Sequence, residues 1–310
     1  RRIAVELVKR LNYKTNRNQL RRRYYDGHNA LKDLGIAIPP PLKTVEVVVG
    51  WPAKAVDSMI DRTTLHGFTS STGSSTMNAF LADVFDSNRL AVRVPSAHRS
   101  ALIHSCAFIF VSRGVVSEGE PEVIIATKSA SDATALWDAR RNRVSAALSV
   151  DDRDRDTGYA TLLHLYLPAK MGRPGRVMRI SPNAWGSLEA VEVSTFSGPV
   201  PVEVLPYQPD EDRPFGKSRI TRAVMYNTDA AMRTMLRTEV GAEFYNAPQR
   251  YALGADEDAF TDASGNPVPA WTVMLGRLLS LSRDEDGELP QVGQFAQQSM
   301  QPNVEQLRSI

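Results

Sequence analysis

The triplet Gly216-Lys217-Ser218, inside RPFGKSRITR (213–222), carries the chemistry that the chain suggests most openly. Gly-Lys-Ser ends the phosphate-binding loop G-x-x-x-x-G-K-[ST], whose backbone N–H groups and lysine cradle a nucleotide. That loop needs a first glycine at position 211, where this chain has Glu211. Glu211 and Asp212 put negative charge where phosphates would lie, and Pro214 removes a backbone donor. The approach, PYQPDED, is polar rather than a buried strand. These residues argue against a nucleotide loop and favour a local role. Ser218 is expected to cap a helix N-terminus with its hydroxyl, with Gly216 as a flexible hinge before it.

Other chemically able residues do not assemble into a set. His28, His66, His98, His104 and His164 are scattered without HExxH or zinc-type spacing, and read as structural. Ser100 lies near His98 but has no local acid to orient a base. Cys106 heads the apolar run CAFIFV and reads as buried and unreactive. As the only cysteine it excludes an internal disulfide and suits a reducing compartment. Glu120, Glu122 and Lys128 have the composition of a nuclease carboxylate–lysine set but lack the preceding metal-binding aspartate. DDRDRDTG (151–158) reads as a charged hairpin tip without EF-hand spacing. The expectation is no catalytic residue, no cofactor and no metal.

The elements that must position these residues follow from pattern. The 310 residues carry a net charge of +2, so no global basic field marks a nucleic-acid binder. No run of 18 apolar residues and no signal peptide is present. The chain opens on RRIAVEL and closes on VEQLRSI, and reads as a piece of a longer protein. Ile3, Leu7, Leu11, Leu20 and Tyr24 predict a helix over 2–25, ended by Asp26-Gly27. The run Arg21-Arg22-Arg23 is either a solvated helix face or a contact for nucleic acid or an acidic partner. PLKTVEVVVGWP reads as a strand-like or buried run, and a helix starts at Pro52 and stops at Gly67. Further helices are predicted over 77–88 and 96–104, around a polar loop at 69–76.

Residues 106–205 hold seven β-rich runs, with a short helix or turn between 132 and 143. The longest helix runs from Ser218 to Asn246, roughly 42 Å at 1.5 Å per residue, with a stripe of Ile220, Val224, Ala231, Met235 and Ala242. Asp229 lies four residues before Arg233, and Arg237 follows on the same face. So narrow a stripe on so long a helix calls for neighbours, a bundle or copies of itself. Pro248 ends it, residues 249–299 are turn-rich around TVMLGRLLSLS, and a last helix begins near Asn303. The class is α+β.

Several stretches together resemble the portal proteins of tailed bacteriophages, in the siphophage type of actinobacterial hosts. They are YYDGHNALKDLGIAIPP (24–40), VVVGWPAKAVDSMIDRTTLHGF (47–68), HRSALIHSCAFIFVS (98–112), PVEVLPY (201–207), FGKSRITRAVMYNTDAAMRTMLRTEVGAEFYNAPQRYALGA (215–255) and DGELPQVGQFAQQSMQP (286–302). The resemblance implies a virion protein assembled in the host cytoplasm. It forms a homo-oligomeric ring, usually of twelve copies, at one capsid vertex, through which double-stranded DNA is packaged and ejected. Terminase, the major capsid protein and head-completion adaptors are the implied partners, with no membrane and no enzymatic activity. It further implies a mixed α/β wing over 1–205, a junction over 206–217 and a first stem helix over 218–246. A small α/β clip over 247–299 and the start of a second stem helix over 300–310 follow, with channel loops and crown beyond Ile310. Lys217, Arg219, Arg222, Arg233 and Arg237 become candidates for the DNA channel or for subunit interfaces, reading phosphates rather than bases. The competing readings are another phage head-assembly or connector protein, and a DNA-acting NTPase.

Overall fold

The computed structural model describes residues 2–28, 47–170, 172–182, 188–246, 250–253, 291–294, 299 and 301–310. The chain divides into two compact units, residues 1–29 with 50–225, and residues 30–49 with 226–310.

The first unit opens with α1 (Arg2–Asp26). Gly27 at φ 74° ends it; His28 N bonds Arg23 O and Gly27 N bonds Tyr24 O, a Schellman close that only a left-handed residue permits cheaply. Helix α2 (Trp51–Ile60) begins with Pro52 in its first turn and stops at Ile60, short of Gly67. Helix α3 (Ser75–Ser87) is capped by Ser74, whose hydroxyl accepts from Met77 N. Helix α4 (Leu90–His104) starts six residues before the predicted 96 and carries Pro95 inside it. Proline reads as a boundary because it lacks a donor, and here the burial of Leu90 on the preceding turn outweighs that loss.

Among the described residues eight strands follow in this unit: β1 (Cys106–Arg113), β2 (Val123–Ser129), β3 (Ala133–Asp138), β4 (Arg143–Arg153), β5 (Ala160–Leu167), β6 (Gly175–Pro182), β7 (Leu188–Phe196) and β8 (Val202–Pro206). The stretch 132–143 is thus a strand and turn, not a helix: Ala133 and Ala135 are buried across from β4, and pairing outweighs alanine's helical preference. The strands form two antiparallel sheets, in orders β2-β1-β8 and β3-β4-β5-β6-β7.

Strand β4 is covered on both faces, which is why VSAALSV reads as one continuous apolar run. On one face Val144 and Ala147 meet Phe108, Phe110, Val202 and Val204 of the smaller sheet, with Phe110 and Tyr166 rings 5.1 Å apart. On the other, Ala146, Leu148 and Val150 meet Leu7 and Leu11 of α1. Residues 144 and 146 would share a face in a regular strand. A bulge opposite Leu136 and Trp137 leaves Ser145 unopposed and turns them apart. A third cluster joins Tyr24, Val56, Ile60, Leu102, Ile103 and Ile220.

The second unit holds most of α5 (Arg222–Asn246), the antiparallel pair β9 (Arg250–Leu253) with β10 (Gln291–Gln294), and α6 (Gln301–Ser309). Ala231 and Met232 of α5 pack with Val47, Val49 and Leu307. The buried positions of α5 include Thr228, Ala231, Met232 and Thr234, while Met235, predicted for the stripe, is 37 % exposed. Threonines bury here because they can back-bond the helix, as Thr234 Oγ1 does to Ala230 O at 3.0 Å. The proline-rich stretch 39–41, the run 41–46 and the Leu-rich stretch 272–282 lie outside the described residues, as does most of 247–299.

Candidate functional site

The GKS segment sits in the link between β8 and α5, and its geometry is that of a helix C-terminus being closed. Helix α4 ends at His104, and its last carbonyls need donors. Leu102 O accepts from Arg219 N at 2.8 Å, and Ile103 O accepts from Ser218 Oγ at 2.6 Å. His104 O accepts from the Arg21 guanidinium of α1 at 3.2 Å, and Ser105 O from Tyr207 N at 2.9 Å. The link is therefore laid across the end of α4 as its cap.

Ser218 accordingly does not cap α5. It is 4 % exposed, donates to α4 and accepts from Ile220 N at 3.1 Å. The cap of α5 is Thr221, three residues later: its hydroxyl accepts from Val224 N at 3.3 Å, and its carbonyl from Met225 N at 3.0 Å. Both residues are good caps by type; tertiary contact with α4 decided between them. Ser218→Ala is expected to cost about 1–2 kcal/mol by leaving Ile103 O without its donor. Hydrogen exchange should show faster exchange at the Ile220 amide. Thr221→Ala should cost about 1 kcal/mol and speed exchange only in the first turn of α5.

Gly216 is not a flexible hinge. It sits at φ 69°, and an added Cβ would meet Tyr207 O at 2.3 Å and Ser105 O at 2.9 Å. Lys217 N then donates to Tyr207 O at 2.7 Å. Lys217 Nζ pairs with Asp210 at 2.6 Å, and that bond first of all holds the Asp210 carboxyl below its ordinary range. Arg219 is a clamp: its Nε donates to Ala55 O of α2 at 2.6 Å, and a terminal nitrogen to the Tyr207 hydroxyl at 2.9 Å. With its guanidinium spent inside the fold, Arg219 leaves the set of DNA-facing candidates. Arg222 is the first, exposed residue of α5, while half-buried Arg233 and exposed Arg237 belong to the second unit.

Beside the link lies a groove of about 910 Å³ against α1. Arg10, Lys14, Arg17 and Arg21 line it at steps of four, three and four, one face of the helix. Arg213, Lys217 and Arg222 line it from the link, and Glu6 and Asp212 are its carboxylates. Leu136, Trp137 and Phe215 supply apolar lining, and the Arg10 guanidinium lies 4.6 Å from the Phe215 ring centre. Burial first, then Arg17, brings Arg21 down to about 10; burial and then Arg17 and Arg10 lower Lys14. The consecutive run Arg21-Arg22-Arg23 conceals this stripe. Only Arg21 enters the groove, while Arg22 pairs with Asp26 at 2.7 Å. A helical-wheel count of cations from residue 10 would have found it.

A second cavity, of about 580 Å³, is lined in part by Lys128, Asp151, His164 and Tyr166. Lys128 Nζ meets Asp151 at 2.8 Å, Ser149 Oγ donates to it at 3.0 Å, and His164 Nδ1 is its third partner. Burial pushes the Asp151 carboxyl up, but His164 and Lys128 prevail and hold it well below the carboxylate range. Burial first, then Asp151, pushes the Tyr166 phenol up to about 12. All three donors converge on one carboxylate, so Ser149 faces the acid and not a base; the cluster ties β4 to β2 and β5. Lys128 is thereby committed to Asp151 rather than to Glu120 or Glu122. Cys106 is buried, and burial pushes its thiol up to about 11. Among the described residues no group of three or more His, Cys, Asp or Glu is placed to hold a metal. No described helix is long and apolar enough to cross a membrane.

Residues 6–170 match the family described as phage portal protein, SPP1 Gp6-like. The portal protein of Mycobacterium phage L5 is 26 % identical over 277 residues, covering 86 % of this chain and 54 % of the relative. The portal protein of Mycobacterium phage D29 is 22 % identical over 291 residues, with the same coverage. The chain spans about half the length of these curated relatives. The matched span takes in α1 through β5, the groove-bearing helix and the helix that the link caps, and the chain belongs to the SPP1 Gp6-like phage portal protein family.

Proposed function

We propose that the chain is the wing, the first stem helix, the clip and the start of the second stem helix of a portal subunit. About twelve copies close into a ring at one capsid vertex, and double-stranded DNA passes through it during packaging and ejection. The observation that carries this reading is the portal match over 6–170, with similarity to two mycobacteriophage portal proteins across most of the chain. The first unit, up to β8, is the wing; residues 206–221 are the junction; α5 is the first stem helix. The clip lies within 247–299, and α6 starts the return of the stem. Terminase and head-completion adaptors dock at the clip, the major capsid protein meets the wing, and the whole belongs to the virion.

Physical features support the assignment. Tyr226 of α5 is 68 % exposed and Met235 37 %, apolar surface that neighbouring stem helices would cover. DNA must slide through a portal, so its contacts should be few, sequence-independent and directed to phosphates. Arg222, Arg233 and Arg237 remain suited to that role, each repeated around the ring. The NTPase reading loses its last support in the link, where Lys217 is engaged by Asp210 and Gly216 faces backbone carbonyls.

Immunogold labelling of intact particles tests the proposal against a shell component. An epitope on this chain should mark a single vertex per particle. Label spread over the capsid surface would assign the chain to the shell instead.

A further inference from the structure

We propose that the basic groove on α1 receives the acidic β1–β2 turn of the neighbouring copy, head to tail around the ring. The inference rests on the ring reading above and names the contact that closes it.

Arg10, Lys14, Arg17 and Arg21 form no ion pair among the described residues, although they crowd one another in a partly buried recess. Partly desolvated like charges that outnumber the nearby carboxylates, here Glu6 and Asp212, are costly unless a partner supplies more. A described segment of the same chain has matching chemistry. Between β1 and β2, Glu118, Glu120 and Glu122 are all exposed and none forms an ion pair. Val115 and Val116 beside them are 47 % and 66 % exposed, matching the apolar lining of Leu136, Trp137 and Phe215. Several other acidic surfaces are already balanced, and none of the remaining described ones sets three exposed glutamates within five residues. Asp152, Asp154 and Asp156 alternate with Arg153 and Arg155, Glu192 faces Arg176 at 3.6 Å, and Asp210 holds Lys217.

Position completes the case. Ser105, immediately before β1, lines the groove, and the acidic turn begins immediately after Arg113, the last residue of β1. The two patches therefore lie at opposite ends of one eight-residue strand, roughly 26 Å apart at about 3.3 Å per residue. A heterologous contact that propagates around a ring needs two different complementary patches on separate sides of the subunit. The recess also favours a narrow turn over a duplex, whose convex backbone would reach only its outer cations.

The test uses the full-length protein in two reversed forms. One carries Lys14→Glu, Arg17→Glu and Arg213→Glu, which leaves the groove with more carboxylates than cations, so that groove and turn are both acidic. The other carries Glu118→Lys and Glu122→Lys, making both basic. Neither should form rings alone, because like patches meet at every contact. An equimolar mixture should form rings again, since alternation restores a matched pair at every contact; recovery in the mixture also shows that both variants are folded. A milder pair, Lys14→Gln with Arg17→Gln, should raise the concentration for half-assembly roughly tenfold. Rings from either reversed form alone, or a neutralised pair that assembles like the parent, would overturn the contact while leaving the ring reading intact. A parent that stays monomeric would overturn both. Intact rings of the neutralised pair with weakened binding of a duplex DNA fragment would assign the groove to nucleic acid and refute the proposal.

Discussion

Gly216→Ala should lower the stability of the first unit by about 3 kcal/mol, which for a unit of this size corresponds to a thermal midpoint lower by roughly 10 °C. Two costs add. The backbone stands at φ 69°, where an L side chain is strained. The new Cβ would also meet Tyr207 O, Ser105 O and Tyr207 N, at 2.3, 2.9 and 2.9 Å. All three are backbone atoms, and none can swing aside. Tyr207 N is already bonded to Ser105 O, and Tyr207 O to Lys217 N. Relief at Gly216 therefore breaks the bonds by which the link caps α4. Lys217→Ala, one residue on, removes only an exposed ion pair and should leave the stability within about 1 kcal/mol of the parent. Differential scanning calorimetry of the two variants separates a packed junction from a mobile hinge.

Acidification should unfold the first unit through His104. Its side chain is 5 % exposed, its Nδ1 has no partner among the described residues, and Arg21 and Arg22 lie near. Burial first, then these two arginines, brings its pKa down to about 4. In the unfolded chain an imidazole protonates near 6.5. Between these values the unfolded state binds the extra proton, so stability falls as pH falls from about 6.5 to about 4, and is fully present above that window. The loss approaches about 3 kcal/mol by pH 4. His98, also held below its ordinary value by burial, adds to the same slope. Thermal midpoints measured at pH 7.5, 5.5 and 4.5 should therefore decline, and His104→Gln should remove most of that decline. An unchanged slope in the variant would exclude His104 as its source.

Local pattern carried the elements further than it carried the site. The seven β-rich runs, α1 and α3 were readable because apolar periodicity and β-branched content express burial directly. The β3 strand is not, because its alanines, with Arg140 and Arg141 in the turn after it, favour a helix until β4 is beside them. The link failed in a more instructive way. Gly216 and Ser218 have the types of a hinge and an N-cap, and sequence neighbours supply no sign that the end of α4, over a hundred residues earlier, claims both. Arg219 has the type of an exposed cation, and composition cannot show that Ala55 O and Tyr207 engage it. The stripe Arg10, Lys14, Arg17, Arg21 is within reach of helical spacing, but the consecutive triplet Arg21-Arg22-Arg23 overlaps its end and reads as a run rather than a face.

Electron microscopy of the purified full-length protein should show closed rings, about a dozen subunits around, with an axial hole wide enough for a DNA duplex. Monomers across the working concentration range, or icosahedral shells, would contradict the ring reading.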